Sequence, residues 1–265
     1  MIQFLKLGGS LLTDKSTEKK VRHRRLARLA AEIAEGIKRT PETHWVLGHG
    51  SGSFGHHTAA RFGTQKGVRT TEEWAGFVEV WRDARELNQI VIHALTKVGI
   101  PVIHFPASAF IISNDRTPEF CYSDSIRHAI THKLVPLVAG DVIFDREIGG
   151  TIFSTEEIFA AIGEKITPDK ILLCGLDEGV YADFPRNKQL IQSLNSNEIT
   201  KLNTHGSQNV DVTGGMRTKV DSMAKFTEKH PQTTVQIFSG IRKGALLNVM
   251  LGEHLGTVIQ GKERQ

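Results

Sequence analysis

The sequence has few cysteines, no long apolar run and no recognisable leader. Each absence makes some class of protein less consistent with the sequence, such as a disulfide-rich or a membrane protein. Only two cysteines, Cys121 and Cys174, occur in 265 residues, and they form no CxxC pair. So few cysteines favour a reducing compartment. No apolar run is long enough to span a bilayer, and residues 1–7 lack the basic-then-apolar layout of a signal peptide. We therefore expect a cytoplasmic protein with no membrane partner.

A strong charge of either sign is also absent, since the formal net charge is only +4. This mild excess suits an anionic small molecule and does not demand nucleic acid. A helix predicted over residues 21–38 does carry four arginines between Arg22 and Arg28 opposite its apolar face. No aromatic residues interleave with them, and Glu32 and Glu35 lie on the same helix. We interpret the arginines as a solvated helix face, with no nucleic-acid partner.

Several nucleotide-binding signatures are missing or incomplete. Residues 50–55 fit G-x-G-x-x-G literally, but a dinucleotide site also needs an acidic residue at the end of the next strand. Glu72 and Glu73 lie at the right distance yet open a predicted helix. A dehydrogenase is therefore an alternative, but the sequence lacks the acidic residue that would bind the ribose of its cofactor. No G-K-[ST] follows a glycine-rich loop, and the HRD and DFG signatures of protein kinases are absent.

What the chain does contain is a glycine-rich loop, His49-Gly50-Ser51-Gly52-Ser53-Phe54-Gly55-His56, after the apolar run Trp45–Leu47. The pattern predicts a buried strand, the loop, and a helix from about His57 to Phe62. Glycines allow close approach of the backbone to a ligand, and backbone N–H groups at a helix start favour an anion. The loop therefore predicts a phosphate site with His56 at its rim.

The rest of the chain alternates strands with helices, which predicts an α/β protein with a mainly parallel sheet covered on both faces. Thr70 and Glu73 have capping-box spacing and predict the start of a long helix ending near Val98. Residues 142–153 resemble a hairpin around Gly149-Gly150. Further strands are predicted near 2–7, 100–103, 135–139, 171–174, 234–238 and 257–260, and further helices near 123–133, 155–164 and 216–229.

Four stretches resemble the amino-acid kinase superfamily over essentially the whole chain. They are Lys6-Leu7-Gly8-Gly9-Ser10, the loop at 50–56, Gly140-Asp141, and Asp211-Val212-Thr213-Gly214-Gly215-Met216 with Lys219. Within that superfamily, His56 and Lys15 make the chain similar to the isopentenyl phosphate kinases. The related fosfomycin kinases share the histidine and are the nearest alternative.

The resemblance implies an open αβα sandwich and two lobes, an acceptor-phosphate lobe at 1–165 and an ATP lobe at 166–265. It also implies a homodimer that uses ATP, with Mg²⁺ carried by the ATP phosphates and no metal site of its own. The reaction implied is transfer of the γ-phosphoryl group of ATP to isopentenyl phosphate, a step of isoprenoid biosynthesis on an alternative mevalonate route. A non-catalytic nucleotide sensor on the same fold is a further alternative.

The roles implied by the resemblance fall into three groups. Catalysis is assigned to Lys6, Lys15 and His56. The acceptor phosphate is assigned to Ser51, Gly55, His56 and Gly140. ATP is assigned to Lys6, Gly8, Gly9, Ser10, Gly52, Asp177, Gly215 and Lys219.

The sequence departs from the superfamily pattern in two places. Ser154-Thr155-Glu156 stands where Ser-Gly-Asp is usual, so Glu156 is the candidate acid that orients the lysines. Gly175-Leu176-Asp177-Glu178 replaces the usual Thr-Asp-Val-Asp, which removes the first aspartate near the nucleotide.

An isopentenyl tail has no polar atom, so only an apolar pocket can recognise it. Phe77, Val80 and Trp81 lie within about one turn of the long helix and are the candidate wall. Burial in the ordinary core is the alternative for each of them.

Overall fold

The computed structural model describes residues 1–14, 16–183, 186–195, 198–199 and 214–261. In chain order the strands are β1 Ile2–Leu7, β2 His44–His49, β3 Val102–His104, β4 Ile111–Asn114, β5 Thr117–Cys121, β6 Val135–Ala139, β7 Asp141–Asp145, β8 Gly149–Phe153, β9 Lys170–Gly175, β10 Val180–Tyr181, β11 Leu190–Ile191, β12 Ser193–Asn195, β13 Thr234–Ser239 and β14 Thr257–Gln260. The α-helices are α1 Gly9–Leu12, α2 His23–Arg39, α3 Gly52–Phe62, α4 Thr71–Lys97, α5 Asp124–Thr131, α6 Thr155–Gly163, α7 Gly214–Lys229 and α8 Ala245–Met250.

One eight-stranded sheet forms the centre of the molecule, in the order β12-β14-β13-β9-β1-β2-β6-β3. Its neighbouring strands pair in parallel, apart from the antiparallel pair β13–β14. The predicted mainly parallel sheet is confirmed. Because β1 pairs with β9, the sheet crosses the boundary expected between residues 165 and 166, and the two-lobe division stays a prediction.

Successive residues of the central strands pack into two separate hydrophobic cores, one on each face of the sheet. In β1, Phe4 joins a cluster with α5, α6 and α7, and its ring centroid lies 5.0 Å from that of Phe159. The next residue, Leu5, joins a cluster with α2, α4 and α8 on the other face. Two buried faces explain why apolar residues occupy both faces of these strands, in place of the apolar and polar alternation of a half-exposed strand. The αβα sandwich is confirmed.

A smaller four-stranded sheet, in the order β5-β4-β7-β8, lies beside the large one. The hairpin predicted at 142–153 is confirmed as β7–β8, whereas the hairpin β4–β5 was not predicted. Asp145 joins the two turns: its carboxylate accepts from Ser113 Oγ at 2.6 Å and from the N–H groups of Arg116 (2.8 Å) and Ile148 (3.0 Å). Burial would raise the pKa of Asp145, but these bonds outweigh it and hold the pKa at about 2.

The long helix α4 begins as predicted, with both hydrogen bonds of the capping box between Thr70 and Glu73 present. Two apolar residues of α4 lie outside the core, since Val78 is 52% exposed and Trp81, predicted as part of the tail wall, is 40% exposed. The residues of α4 that enter the core are Phe77, Val80, Ala84, Leu87, Val91 and Leu95. Val78 and Trp81 lie at the edge of the helical stripe, where the core no longer covers them.

One arginine of α2, Arg28, is bound within the protein, unlike the solvated helix face expected from the sequence. Arg28 donates to Glu32 Oε1 at 2.6 Å and to the carbonyl oxygen of Gly240 at 2.6 Å. Glu32, 8% exposed, accepts from the N–H of Gly244 at 3.0 Å. The pair therefore fastens α2 to the segment that leads into α8.

Candidate active site

A cavity of about 860 Å³, called here the main cavity, opens at the carboxyl ends of β1 and β2. It collects most of the side chains and glycines that the sequence singled out. Those lining it are Lys6, Gly8, Gly9, Ser10, Ser51, Gly52, Gly55, His56, Val80, Gly140, Glu156, Asp177 and Lys219. Lys15 and residues 211–213 lie outside the described residues. Gly215 is in the first turn of α7.

Two glycine loops meet at the floor of the main cavity. Lys6 lies beside Gly48 and Leu7 beside His49 in the parallel pair β1–β2, so the loops that follow are adjacent. A Cβ added to Gly9 would lie 2.5 Å from the backbone nitrogen of Gly52. No side chain can occupy that space, so backbone forms this part of the wall. Such a cradle suits a phosphate, which binds backbone N–H groups.

Helix α3 begins at Gly52, five residues earlier than predicted. Gly52 has a φ of +53°, and a Cβ there would meet Thr13 Oγ1 at 2.3 Å. Thr13 Oγ1 instead accepts from the N–H of Ser53 at 2.9 Å and donates to the carbonyl oxygen of Gly9 at 2.9 Å. These contacts offset the low helix propensity of glycine. They also bring the positive end of the helix to the cavity, where it stabilises an anion.

Lys6 and Glu156 form a buried ion pair at the base of the main cavity. Lys6 Nζ donates to Glu156 Oε2, and the two side chains are 11% and 6% exposed. Burial lowers the pKa of the Lys6 ammonium, against the opposing effect of Glu156, and Lys219 lowers it further. Burial would raise the pKa of Glu156, but Lys6 and Lys219 keep it below its usual range. We conclude that Glu156 is ionised. Any further anion in the cavity would stabilise the protonated form of Lys6.

Glu156 reaches Lys6 because α6 starts beside the end of β1. Ser154 is the N-cap, and its Oγ accepts from the N–H of Glu157 while Glu157 bonds the N–H of Ser154 at 2.6 Å. Thr155 Oγ1 donates to the carbonyl oxygen of His49 at 2.7 Å. These bonds hold the first turn of α6 against β2.

His56 of α3 and Gly140 in the turn after β6 both line the main cavity. The side chain of His56 is exposed, whereas Asp141 beside Gly140 is buried. Arg85 Nη2 bonds Asp141 Oδ2 at 2.5 Å. Burial raises the pKa of Asp141, and Arg85 acts against it. The arginine thus compensates a carboxylate that would otherwise repel an anionic ligand.

His104 lies behind Asp141 and contacts the same arginine, with Arg85 Nη1 2.9 Å from its Nδ1. Burial, reinforced by the positive charge of Arg85, lowers the pKa of His104 to about 3. The ring is therefore neutral at physiological pH, and Arg85 retains its charge for Asp141.

One end of the main cavity is apolar. Val80 of α4, Ala59 of α3 and Ile152 of β8 line it and pack in one apolar cluster with Phe77, and Ala84 of α4 is a further apolar residue of the cavity lining. Phe77 and Trp81 are not among its lining residues. Phe77 packs behind this wall, with its ring centroid 5.3 Å from that of Phe144. Trp81 lies on the outer face of α4, with the guanidinium carbon of Arg85 5.4 Å from its ring centroid.

Two cations in the main cavity, Lys66 and Arg116, were missed by the sequence reasoning. Arg116 donates from Nη1 to Thr151 Oγ1 at 2.5 Å and to the carbonyl oxygen of Gln65 at 3.0 Å, and from Nη2 to Glu157 at 3.2 Å. It therefore links the β4–β5 turn to α6 across the mouth of the cavity. No motif marks either residue: Lys66 ends the short 3₁₀ helix Thr64–Lys66, and Arg116 lies in the β4–β5 turn.

Among the described residues, no group of three or more His, Cys, Asp or Glu side chains is placed to hold a metal ion. None of the described helices has the length and apolar character needed to cross a membrane.

Known proteins resemble this chain in sequence and in fold. Residues 1–239 match the model of the amino acid kinase family. The isopentenyl phosphate kinase of Methanocaldococcus jannaschii is 30% identical over 99% of this chain and 100% of its own length, and that of Methanothermobacter thermautotrophicus is 30% identical over 97% and 98%. Among solved structures, an isopentenyl phosphate kinase superposes with a TM-score of 0.84, at 26% identity over 98% of this chain and all of its own. A product complex of the Thermoplasma acidophilum enzyme gives 0.77, at 26% identity and the same coverage.

Proposed function

The chain belongs to the amino acid kinase family and, within it, to the isopentenyl phosphate kinases, and from this premise we propose that it transfers the γ-phosphoryl group of ATP to isopentenyl phosphate. The product would be isopentenyl diphosphate, which places the enzyme in isoprenoid biosynthesis. One observation carries the proposal: a single cavity joins the Lys6–Glu156 pair and the glycine cradle to His56 and an apolar end.

The reaction brings two polyanions together in line, so the enzyme's task is to position them and to neutralise charge. The attacking oxygen belongs to a phosphate and is already ionised, so no general base is needed. Lys6 would bridge the β- and γ-phosphates, and Lys219 would bind ATP phosphates from α7. Glu156 would hold the Lys6 ammonium in position between the two substrates. Lys15, which the sequence assigns to catalysis, would stabilise the transferring group.

The acceptor phosphate would bind at Ser51, Gly55, His56 and Gly140. A phosphate dianion favours the protonated form of a neighbouring histidine, so His56 would donate a hydrogen bond and supply positive charge. The first turn of α3 adds backbone N–H groups. Asp141, one residue beyond Gly140, does not repel the acceptor because Arg85 compensates its charge.

ATP would occupy the side of the main cavity formed by Gly8, Gly9, Ser10, Gly52, Asp177, Gly215 and Lys219. The close contact between Gly9 and Gly52 supports this assignment, because a side chain at either position would fill the cradle. Mg²⁺ would enter on the ATP phosphates and neutralise part of their charge.

The hydrocarbon tail of the acceptor would lie against Val80, Ala84, Ala59 and Ile152. Each CH₂ group buried there contributes about 0.8 kcal/mol. Phe77 would set the depth of the pocket from behind, since it packs against the same strands. Fosfomycin is a small epoxide phosphonate and would need polar groups where these side chains stand.

Three further expectations belong to the proposal. The enzyme would act as a homodimer, in the cytoplasm, on small molecules alone. The intramolecular bonds of Arg28 support the absence of a nucleic-acid surface on α2, because they occupy its guanidinium.

Incubation of the purified protein with Mg-ATP and isopentenyl phosphate, followed by ³¹P NMR, tests the proposal. We expect the acceptor monophosphate signal to be replaced by the two coupled signals of a diphosphate, with one ADP formed per product. ATP consumption that gives ADP and inorganic phosphate, with the acceptor monophosphate signal unchanged and no signals of isopentenyl diphosphate, would contradict it.

A further inference from the structure

A second cavity, of about 450 Å³, lies at the far end of α6 from the main cavity and shares no lining residue with it. Its walls are β5, the C-terminal half of α6 and residues 222–229 of α7. Its apolar surface comes from Pro118, Cys121, Ala160 and Phe226. This volume lies within the range of small-molecule sites.

The second cavity is bounded by tightly packed core. A Cβ added to Gly163 would lie 2.5 Å from Phe226 Cζ, so α6 and α7 are in close contact at the base. Cys121 and Ala160 are half-buried and pack against the same core cluster as Phe226. The space therefore lies where these three packed elements meet.

Charged residues at the second cavity leave it basic. Glu119 pairs with Arg146 at 3.0 Å, and Glu164 pairs with Lys229 at 3.2 Å. No salt bridge to another described residue engages Lys165 or Lys225, which also line the cavity. An apolar surface below two such lysines matches a ligand with a hydrocarbon body and an anionic head.

All three walls also contribute charged residues to the main cavity. Arg116 occupies the turn just before β5, Glu156 and Glu157 form the first turn of α6, and Lys219 lies in α7. The nine residues of α6 span only about 14 Å. A molecule seated between these elements would change their relative positions and hence the arrangement of the catalytic charges.

We propose that the second cavity binds a small amphiphilic anion, with its head between Lys165 and Lys225 and its aliphatic body against Pro118, Cys121 and Phe226, and that binding changes the turnover number. Because the two cavities are separate, the ligand alters kcat without competing with either substrate. The inference stands whichever acceptor the main cavity takes.

Octyl phosphate and octanoate are suitable probes. Two controls each lack one part of the ligand: octanol has no anionic head, and inorganic phosphate has no hydrocarbon body. Alkylation of Cys121 by iodoacetamide at about pH 9, followed by peptide mass spectrometry, reports occupancy at the site itself. Burial raises the pKa of Cys121 to about 11, so its alkylation is slow enough to follow. Buried Cys174 is an internal control.

We expect octyl phosphate, octanoate or both to protect Cys121 and to change kcat at saturating substrates, while the two controls do neither. Protection by both probes would show that the site accepts any anionic head group. Protection by only one would show that the site prefers the head group of that probe. Lys165→Gln/Lys225→Gln should weaken protection about tenfold and abolish the effect on kcat without altering basal activity. Lys38→Gln/Lys97→Gln, which removes two exposed lysines elsewhere, should match the wild type. His56→Ala should retain protection, since His56 lies in the main cavity.

Three results would overturn the inference. The first is alkylation of Cys121 that neither amphiphile slows. The second is protection that octanol gives equally well or that survives Lys165→Gln/Lys225→Gln. The third is inhibition that rising substrate concentration removes, which would place the ligand in the main cavity.

Discussion

Replacing Glu156 with glutamine removes the negative charge beside Lys6 while keeping the side-chain length and an oxygen that can accept from Nζ. The two side chains are 11% and 6% exposed, so water screens their interaction only weakly. A hydrogen bond to a charged group contributes about 1.5–3 kcal/mol. If that stabilisation positions Lys6 for the transition state, kcat/KM should fall about 10- to 100-fold.

The pH profile separates this role from a merely structural one. Glu156 raises the pKa of Lys6 through its charge and its hydrogen bond, against the lowering effect of burial. Without that charge the pKa of Lys6 falls further, so the protonated lysine is lost at lower pH. The alkaline limb of the kcat/KM profile, which reports the free enzyme, should therefore move to lower pH in Glu156→Gln.

Glu156→Asp keeps the charge and should return the alkaline limb part of the way. Glu35→Gln, on the exposed face of α2, is the matched control and should behave as wild type. Wild-type kcat/KM and an unmoved alkaline limb in a folded Glu156→Gln variant would refute the role assigned to this pair.

Three other variants test the acceptor site, the tail pocket and the small sheet. His56→Ala should abolish most turnover while calorimetry shows unchanged binding of a non-hydrolysable ATP analogue; an equal loss of nucleotide affinity would place His56 on the wrong side of the cavity. Val80→Ala should raise kcat/KM for geranyl phosphate relative to isopentenyl phosphate by up to about tenfold, because such a pocket discriminates a methylene by about 1–3 kcal/mol. Trp81→Ala should leave this ratio unchanged. The same ratio in both variants would remove Val80 from the tail wall. Asp145→Asn should lose about 2 kcal/mol of unfolding free energy in urea at neutral pH, since the pKa of Asp145 is about 2 in the folded protein against an ordinary 3.8. That stabilisation is present above pH 4 and is lost as the pH falls through about 2, so a difference between wild type and variant that persists at pH 2 would contradict the assignment.

Local patterns were enough to predict the sheet and most helices. Continuous apolar runs such as Val135–Ala139 predicted buried parallel strands, because both faces of the sheet are covered. Thr70 and Glu73 predicted the start of α4 through a bond pattern that involves only four residues. The glycines at 8–9 and 50–52, which directly follow β1 and β2, indicated the place where the backbone comes into close contact at the main cavity.

Features that depend on distant contacts could not be predicted in this way. Helix α3 starts at Gly52 because Thr13, forty residues away, binds the N–H of Ser53. The β4–β5 hairpin carries exposed and charged residues in place of an alternating apolar pattern, and Asp145 holds its turn from another strand. Arg116 enters the main cavity only as a consequence of that turn.

Steady-state kinetics with a panel of acceptors at saturating Mg-ATP tests the central claim most directly. The panel compares isopentenyl phosphate with geranyl phosphate, fosfomycin and inorganic phosphate, and kcat/KM for each is measured by ADP release. The cavity described here predicts the highest kcat/KM for isopentenyl phosphate, because only that acceptor fits both the phosphate site and the short apolar end. A far higher kcat/KM for fosfomycin, or ADP release that no acceptor stimulates, would contradict it.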